Sequence, residues 1–454
     1  MPKKTPNRQQ VVNPLISLIE VEDLFYTYTY TLKVAPPLGP ESGSLMLLYG
    51  DNGSGKTTIL NILYHLLHPE PKGGHRAFIG GIPFKTFKVE LFGDTTISAL
   101  RPDKCGQGEY SIKISSHYLQ DELIWKWDDA VDKRRSKAND DSYEKYCSFL
   151  KKLELSFHYL RDTRRVEGNP MTMGQAFRRS FPVVPEELIF IENISEEQLV
   201  LPERQLAESI NIALQWFQQR ALLATKIGYT NIDTIYRDII KQVVMASTSD
   251  SDAPTSTLKE LSKSLIELKE KNVAFEQFGL TPELNVDNIV KSLEAAESKH
   301  ITMLNTVLKP YLDGHAARFE ALRELQRVIQ SFVMLLCESY SHKKVSVDLQ
   351  KGLKITSDSG QELEPIKLSS GEKQLLLLFC NAISSRKDKT VLIIDEPEIS
   401  LNVKWQRKLI PALLTCMSGT NFQLILATHS VELLTQYRDI VSPLENMHKA
   451  GINE

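Results

Sequence analysis

The run SLMLLYGDNGSGKTTILNILYHLL, residues 44–67, changes character twice. Its first six residues are β-formers. A glycine-rich turn, Gly50-Asp-Asn-Gly-Ser-Gly55-Lys56-Thr57, follows. Ile59, Leu60, Leu63, Leu66 and Leu67 then recur at helical spacing on one face. The turn matches GxxxxGK[ST]. Gly50, Gly53 and Gly55 let the backbone curl so that successive N–H groups point at phosphate oxygens, and the N-terminus of the following helix adds positive potential. Lys56 would reach the β- and γ-phosphates, and the Thr57 hydroxyl would hold Mg²⁺. A surface glycine turn is the plain alternative, but strand, glycine turn and helix come here in the order a phosphate-binding loop requires.

Three later runs carry chemistry. Val391-Leu-Ile-Ile394-Asp395-Glu396 is an apolar strand ending in two acids, and strands buried on both faces present functional groups at their carboxyl ends. Asp395 is the candidate Mg²⁺ ligand, and Glu396 is positioned to orient or deprotonate a water. Leu368-Ser-Ser-Gly-Glu-Lys-Gln374 opens the helix LLLLFCNAIS. It reads either as a second anion-binding helix end or as simple capping by Ser369 or Ser370 with Glu372 in the first turn. Leu424-Ile-Leu-Ala-Thr428-His429-Ser430 is another β run ending in polar residues, and a histidine there is either structural or catalytic.

The order of these motifs resembles the ATP-binding-cassette (ABC) ATPases, and within them the RecF, SMC and OLD-like branch. LSSGEKQ and DEPEISLNVKWQ are similar to that branch's signature and Walker B region, whereas transport subunits favour LSGGQ. The resemblance spans roughly residues 15–165 and 345–435. It implies an α/β fold: an ABC-type P-loop ATPase core with an antiparallel β-subdomain and a helical, short coiled-coil insertion. It also implies ATP and Mg²⁺ as cofactors. Gly50, Asn52, Gly53, Ser54, Gly55, Lys56, Thr57 and Thr58 would bind nucleotide, Thr57 and Asp395 the metal, and Glu396 and His429 would be catalytic. Ser369, Ser370, Gly371 and Glu372 would contact ATP held by another protomer. Ser400-Leu401-Asn402 occupies the D-loop position, and His429 resembles the switch histidine that senses the γ-phosphate. Two ATPs would be sandwiched in a dimer, with a higher homo-oligomer expected. The Q-loop glutamine has no clear counterpart; Gln107, Gln120 and Gln175 are candidates, with Tyr159-Leu-Arg-Asp162 as a substitute. For adenine stacking the candidates are Phe25, Tyr26 and Tyr28.

Around these motifs the pattern places a first part of the core over 1–165, a helical insertion over 166–342, and the rest of the core over 343–454. The stretch Lys85–Trp127 reads as an antiparallel meander. Within the insertion, Leu258, Leu261, Leu265, Leu268, Asn272 and Phe275 alternate in steps of three and four, as a coiled-coil seam does. Two further helices are expected at about 286–309 and 314–341, separated by KPYLDG and each roughly 35–40 Å long. Basic clusters fall at Lys133, Arg134 and Arg135, and at Arg161, Arg164, Arg165, Arg178 and Arg179. Such runs are either solvated faces or a nucleic-acid or partner surface. His65 and His68 share a helix face, but the sequence supplies no third metal ligand.

Composition narrows the class. The 454 residues carry 54 Lys+Arg against 57 Asp+Glu, a net charge of -3, so the protein is not basic throughout and nucleic-acid contact would need local patches. The five cysteines form no CxxC or Cys/His pair at metal spacing, which argues against a disulfide framework. With no secretory signal and no apolar run of membrane-spanning length, a cytoplasmic protein is expected. Only residues 430–454 follow His429, too few for the TOPRIM nuclease of OLD-type proteins, and no HNH constellation is present. The layout therefore resembles the ATPase subunits of bacterial anti-phage systems of the PARIS and Septu kind. It implies a separate effector nuclease (TOPRIM or HNH), a phage-derived trigger and slow turnover. A repair or recombination ATPase that clamps DNA, and a nucleotide-gated scaffold with negligible turnover, are the rival readings. A transport subunit fits the motifs least.

Overall fold

A computed structural model describes residues 15–34, 43–71, 74–102, 108–127, 137–161, 166–167, 201–246, 256–294, 301–387 and 389–444. In chain order the elements are β1 (Ile16–Leu24), β2 (Tyr28–Lys33), β3 (Ser44–Tyr49), α1 (Lys56–Leu67), α2 (His75–Gly80), β4 (Thr86–Leu91), β5 (Thr95–Leu100), β6 (Tyr110–Ser115), β7 (Leu123–Trp127), α3 (Lys137–Lys152), β8 (Ser156–Leu160) and β9 (Val166–Glu167). Four helices follow: α4 (Leu201–Ala246), α5 (Ser256–Glu276), α6 (Asp287–Glu294) and α7 (Ile301–Ser339). The chain continues through β10 (Lys343–Asp348), β11 (Gly352–Ser357), β12 (Glu362–Leu363), α8 (Ser370–Ser384), β13 (Thr390–Asp395), α9 (Val403–Met417), β14 (Phe422–Thr428), α10 (Val431–Leu434) and β15 (Val441–Pro443). Two units result: Met1–Pro182 with Asn381–Glu454, and Val183–Cys380.

The first unit holds two six-stranded sheets. One has the order β15-β3-β14-β13-β8-β9. Every neighbouring pair in it is parallel except β8 with β9. Its central strands β13 and β14 are buried along their whole length, which is why VLIID and FQLILAT read as continuous apolar runs instead of alternating ones. The other sheet is an antiparallel meander, β2-β1-β4-β5-β6-β7. There the burial alternates along β4, β5 and β6, as period-2 side chains require when one face meets a core. One core joins both sheets and α1: Met46, Ile393 and Ile425 from the first, Ile19, Phe87 and Ile112 from the second, and Leu60 and Leu63 from the helix.

At the far end of α1 three histidines meet. His65 Nδ1 lies 2.8 Å from His75 Nδ1, and the His68 and His75 rings stack with centroids 4.0 Å apart. A nitrogen pair this close needs one donor and one acceptor, so at least one ring is neutral. Arg76 donates to the His65 and His68 carbonyls, capping the last turn of α1 with a cation where the helix dipole favours one. Burial, with His75 and the Arg161 and Arg76 guanidiniums adding to it, holds the His65 pKa down at about 3. Burial first and Arg76 second hold His68 at about 4. Burial also leads for His75, at about 4, assisted by His68 and Arg76. The unfolded chain protonates these rings near the ordinary value of 6.5 while the folded one does not. Stability is therefore full above pH 6.5 and falls as pH drops towards 4 to 3. The expected slope is at most about 1.4 kcal/mol per pH unit per ring. A pH series of thermal melts should show this loss, and His68→Leu should flatten it.

The second unit is built on long helices. α4 has 46 residues and α7 has 39, about 70 Å and 60 Å at 1.5 Å per residue, and the two pack along each other. The sequence-based expectation of two helices meeting at KPYLDG does not hold: α7 runs unbroken through Pro310. A mid-helix proline costs about 3 kcal/mol, but Leu322, Leu325, Ile329, Phe332 and Leu336 are all buried on this helix, and packing of that face outweighs the lost bond. The expected 35–40 Å is therefore too short for the second helix, while the first, expected over 286–309, is represented by the eight-residue α6 and by the start of α7, with residues 295–300 outside the described ones. The α5 seam is buried at Leu261, Leu265, Leu268, Asn272 and Phe275. Asn272 is only 2% exposed, and its amide donates to the Pro282 carbonyl at 2.9 Å, so the polar seam position fixes a local turn. Phe275 stacks on Phe319 of α7 at 4.8 Å.

Candidate nucleotide-binding site

The parallel sheet brings the candidate residues to one edge. Ala427 in β14 pairs with Leu48 of β3 on one side and with Asp395 of β13 on the other. The ends of the three strands therefore lie level, and β3 and β13 stand about 10 Å apart across β14. The loop 50–55 leaves β3, Asp395-Glu396 leaves β13, and Thr428-His429 leaves β14. This is the carboxyl edge of a parallel sheet, where ligands of α/β folds bind.

The loop is shaped for close approach. Gly53 and Gly55 have φ of 83° and 89°, the left-handed region that favours glycine. A Cβ on Gly55 would stand 2.9 Å from Leu24 Cδ2, and one on Gly50 2.8 Å from Ser54 Oγ. Lys56 is buried, and its ammonium donates to the carbonyls of Gly50 at 2.8 Å and Asp51 at 3.0 Å. Asn52 and Thr57 are exposed, Ser54 is buried and Thr58 half-buried. The α1 first turn holds no acidic side chain, so its positive potential is not cancelled from within the helix. The Tyr30 hydroxyl donates to the Ser54 carbonyl at 2.9 Å, and burial, with Tyr28 beside it, lifts its pKa to about 12. β2 is thereby tied to the loop. Phe25 and Tyr26 sit in the β1–β2 turn, both at positive φ and both exposed, and the Phe25 ring comes within 4.0 Å of the Gly55 Cβ position. Tyr28 stacks on Tyr30.

Oxygen donors suited to Mg²⁺ are present: the exposed Thr57 hydroxyl and the Asp395 carboxylate, 2% exposed at the end of β13. Together with the glycine cradle, these residues fit a Mg²⁺-nucleotide. Glu396 has φ of 49°, a left-handed conformation that costs a non-glycine residue about 1–2 kcal/mol. Its N–H donates to the Ala427 carbonyl at 2.9 Å, which anchors the bend and turns the chain off the strand end.

Glu398, given no role by the sequence analysis, is central to the geometry. It is 5% exposed. Its Oε1 accepts from Thr428 Oγ1 at 2.5 Å and from the His429 N–H at 3.0 Å, and lies 3.3 Å from His429 Nδ1. Glu396 Oε1 is 3.6 Å from the same nitrogen. Ser430 continues the chain of bonds, its N–H to Thr428 Oγ1 at 2.9 Å and its hydroxyl to Gln406 Oε1 at 2.7 Å. Gln406 donates onward to the Leu401 carbonyl. The signal for Glu398 was an acid two residues past the strand-end pair, in a chain that soon offers a Thr-His at the end of the next strand.

The LSSGE run belongs to the second unit. Ser369 and Glu372 form a reciprocal capping box: the Ser369 N–H and hydroxyl donate to Glu372 Oε2 at 2.9 Å each, and the Glu372 N–H donates back to Ser369 Oγ at 3.4 Å. Lys343 pairs with Glu372 at 2.7 Å. Burial pushes the Glu372 pKa up, but the bonds from Lys343 and Ser369 outweigh it and leave it below the usual carboxylate range. Ser370 and Gly371 lie in the first turn of α8. The capping reading thus describes what these residues do within the chain.

Of the remaining candidates, Gln120 is exposed between β6 and β7. Gln107, Gln175, Asp162, the cluster at Lys133–Arg135, and Arg164, Arg165, Arg178 and Arg179 lie outside the described residues. Arg161 follows β8, 3.5 Å from His65 Nε2 and over the Tyr159 ring. Among the described residues no group of three or more His, Cys, Asp or Glu is arranged to hold a metal ion, and no helix is long and apolar enough to cross a membrane.

Several solved structures are similar to this chain. An Smc head domain with an extended coiled coil bound to the C-terminal domain of ScpA, from Pyrococcus furiosus, is 12% identical with a TM-score of 0.35, covering 93% of this chain and 91% of that one. An SmcHead bound to the C-winged helix domain of ScpA is 11% identical at 0.33, over 93% and 91%. An Smc head domain with a coiled coil and joint from Pyrococcus yayanosii is 16% identical at 0.33, over 91% and 92%. No curated protein matches the sequence. The family model AAA_15, AAA ATPase domain, matches residues 37–434, from before β3 to the end of α10, and the chain belongs to that family.

Proposed function

We propose that this chain binds Mg²⁺-ATP at the carboxyl edge of its parallel sheet and hydrolyses it between protomers. The observation that carries the reading is the meeting of the 50–57 loop, Asp395-Glu396 and Thr428-His429 at level strand ends. Lys56 exchanges its two loop carbonyls for phosphate oxygens. Thr57 and Asp395 would hold Mg²⁺, which would supply positive charge to offset that of the phosphates. Glu396 orients the attacking water and takes its proton, and His429 meets the terminal phosphate. The LSSGE helix end of one protomer completes the site of another, as the motif order supports.

The same reading makes the protein a slow sensor and scaffold of an anti-phage defence complex. Its ATP state sets an oligomer, and its long helical unit docks a separate effector nuclease of TOPRIM or HNH type. Motif order and the 46- and 39-residue helices support this step. The test is affinity capture of tagged Glu396→Gln protein, expressed from its native gene neighbourhood with ATP, followed by mass spectrometry. A nuclease co-eluting in fixed ratio is the expected result. An eluate of the ATPase with nuclease-sensitive DNA instead would make it a DNA clamp.

A further inference from the structure

We propose that Glu398 is the positioning residue for His429: it fixes the proton on Nδ1 and leaves Nε2 as the nitrogen that faces the nucleotide. The proposal rests on the reading of His429 as a working residue, but its geometry is independent of that reading.

Oε1 of Glu398 already accepts two hydrogen bonds, from the Thr428 hydroxyl and the His429 N–H. An oxygen that accepts twice has no proton of its own to give, whichever ionisation state the carboxyl takes. His429 Nδ1 lies 3.3 Å from that oxygen and 3.6 Å from the Glu396 oxygen. An unprotonated Nδ1 would set its lone pair against both, so Nδ1 carries the hydrogen. Nε2 is then the only ring nitrogen left to act, on a side chain that remains 47% exposed. Glu398 is itself held in place. Its side chain is 4% exposed, Thr428 grips it, and the Leu401 N–H donates to its backbone carbonyl at 2.9 Å. A half-exposed histidine thus lies against a buried acid that is itself held in place, which is how partners beyond the reacting atoms orient working imidazoles.

Two measurements test this together. In protein labelled with ¹⁵N-histidine, the wild-type His429 signal should show the Nδ1–H tautomer, and Glu398→Leu should lose that preference. A wild-type Nε2–H tautomer would overturn the proposal, and so would an unchanged tautomer in the variant. In ATP turnover, Glu398→Leu should lower kcat on the order of 10-fold to 100-fold with KM for ATP unchanged. Glu398→Gln, which keeps an acceptor at Oε1, should restore most of it. His429→Ala should show the same loss, and the double variant Glu398→Leu/His429→Ala should be no slower than His429→Ala alone. Multiplying losses would mean that Glu398 acts by another route, against the proposal. An absence of ATP turnover in the wild type would sink the proposed function while the tautomer still decides this inference.

Discussion

Lys56→Ala should weaken ATP binding by about 100-fold to 1,000-fold and reduce hydrolysis to background. The side chain is buried and its ammonium spans two loop carbonyls, so it is already confined where phosphate would arrive. Hydrogen bonds to a charged partner contribute about 1.5–3 kcal/mol each, so two of them to phosphate oxygens are worth about 3–6 kcal/mol, and the stated range is the lower part of that span at 1.4 kcal/mol per tenfold. Lys56→Arg should not rescue binding, because a planar five-donor fork does not fit a cradle closed by Gly50 and Gly55. Titration calorimetry with ATP reads the affinity directly. Near-normal affinity in Lys56→Ala would mean the loop is a structural turn.

Glu396→Gln should separate binding from chemistry. The amide keeps the size and can take up the same left-handed bend, so ATP affinity should be retained and turnover should fall by about 10²–10⁴, the range for removal of a general base. The position is suited to this role. The bend at φ 49°, anchored on the Ala427 carbonyl, swings residue 396 off the strand, while Asp395 stays buried at the strand end. A single-turnover ATP assay distinguishes slow chemistry from slow release. Equal turnover in wild type and variant would leave the nucleotide-gated scaffold as the better account.

The glycine turn between β3 and α1 and the acids at the end of β13 were legible because they depend on local grammar: a strand, a glycine turn and a helix in order, and an apolar run closed by Asp-Glu. The antiparallel meander was legible for the same reason, since β4 and β6 alternate cleanly. Glu398 was not, because its meaning lies in Thr428 and His429, thirty residues on and one strand over, and only parallel pairing of β13 with β14 joins them. The length of α7 was misread because Pro310 is a local stop signal, whereas the apolar face that overrides it is satisfied by α4, more than fifty residues earlier in the chain. The third histidine of the α1 cluster belongs to α2, so spacing within α1 showed only a pair.

The claim that one protomer's phosphate loop works with another's LSSGE helix end is tested most directly by mixing. Lys56→Ala and Ser369→Arg proteins should each be inactive. The second loses a capping box worth about 1 kcal/mol, so its melting temperature should confirm that it folds. Combined, they should regain ATP hydrolysis, up to one working site in each mixed dimer. A mixture that stays as inactive as its parts, with mixed dimers present, would contradict the shared site.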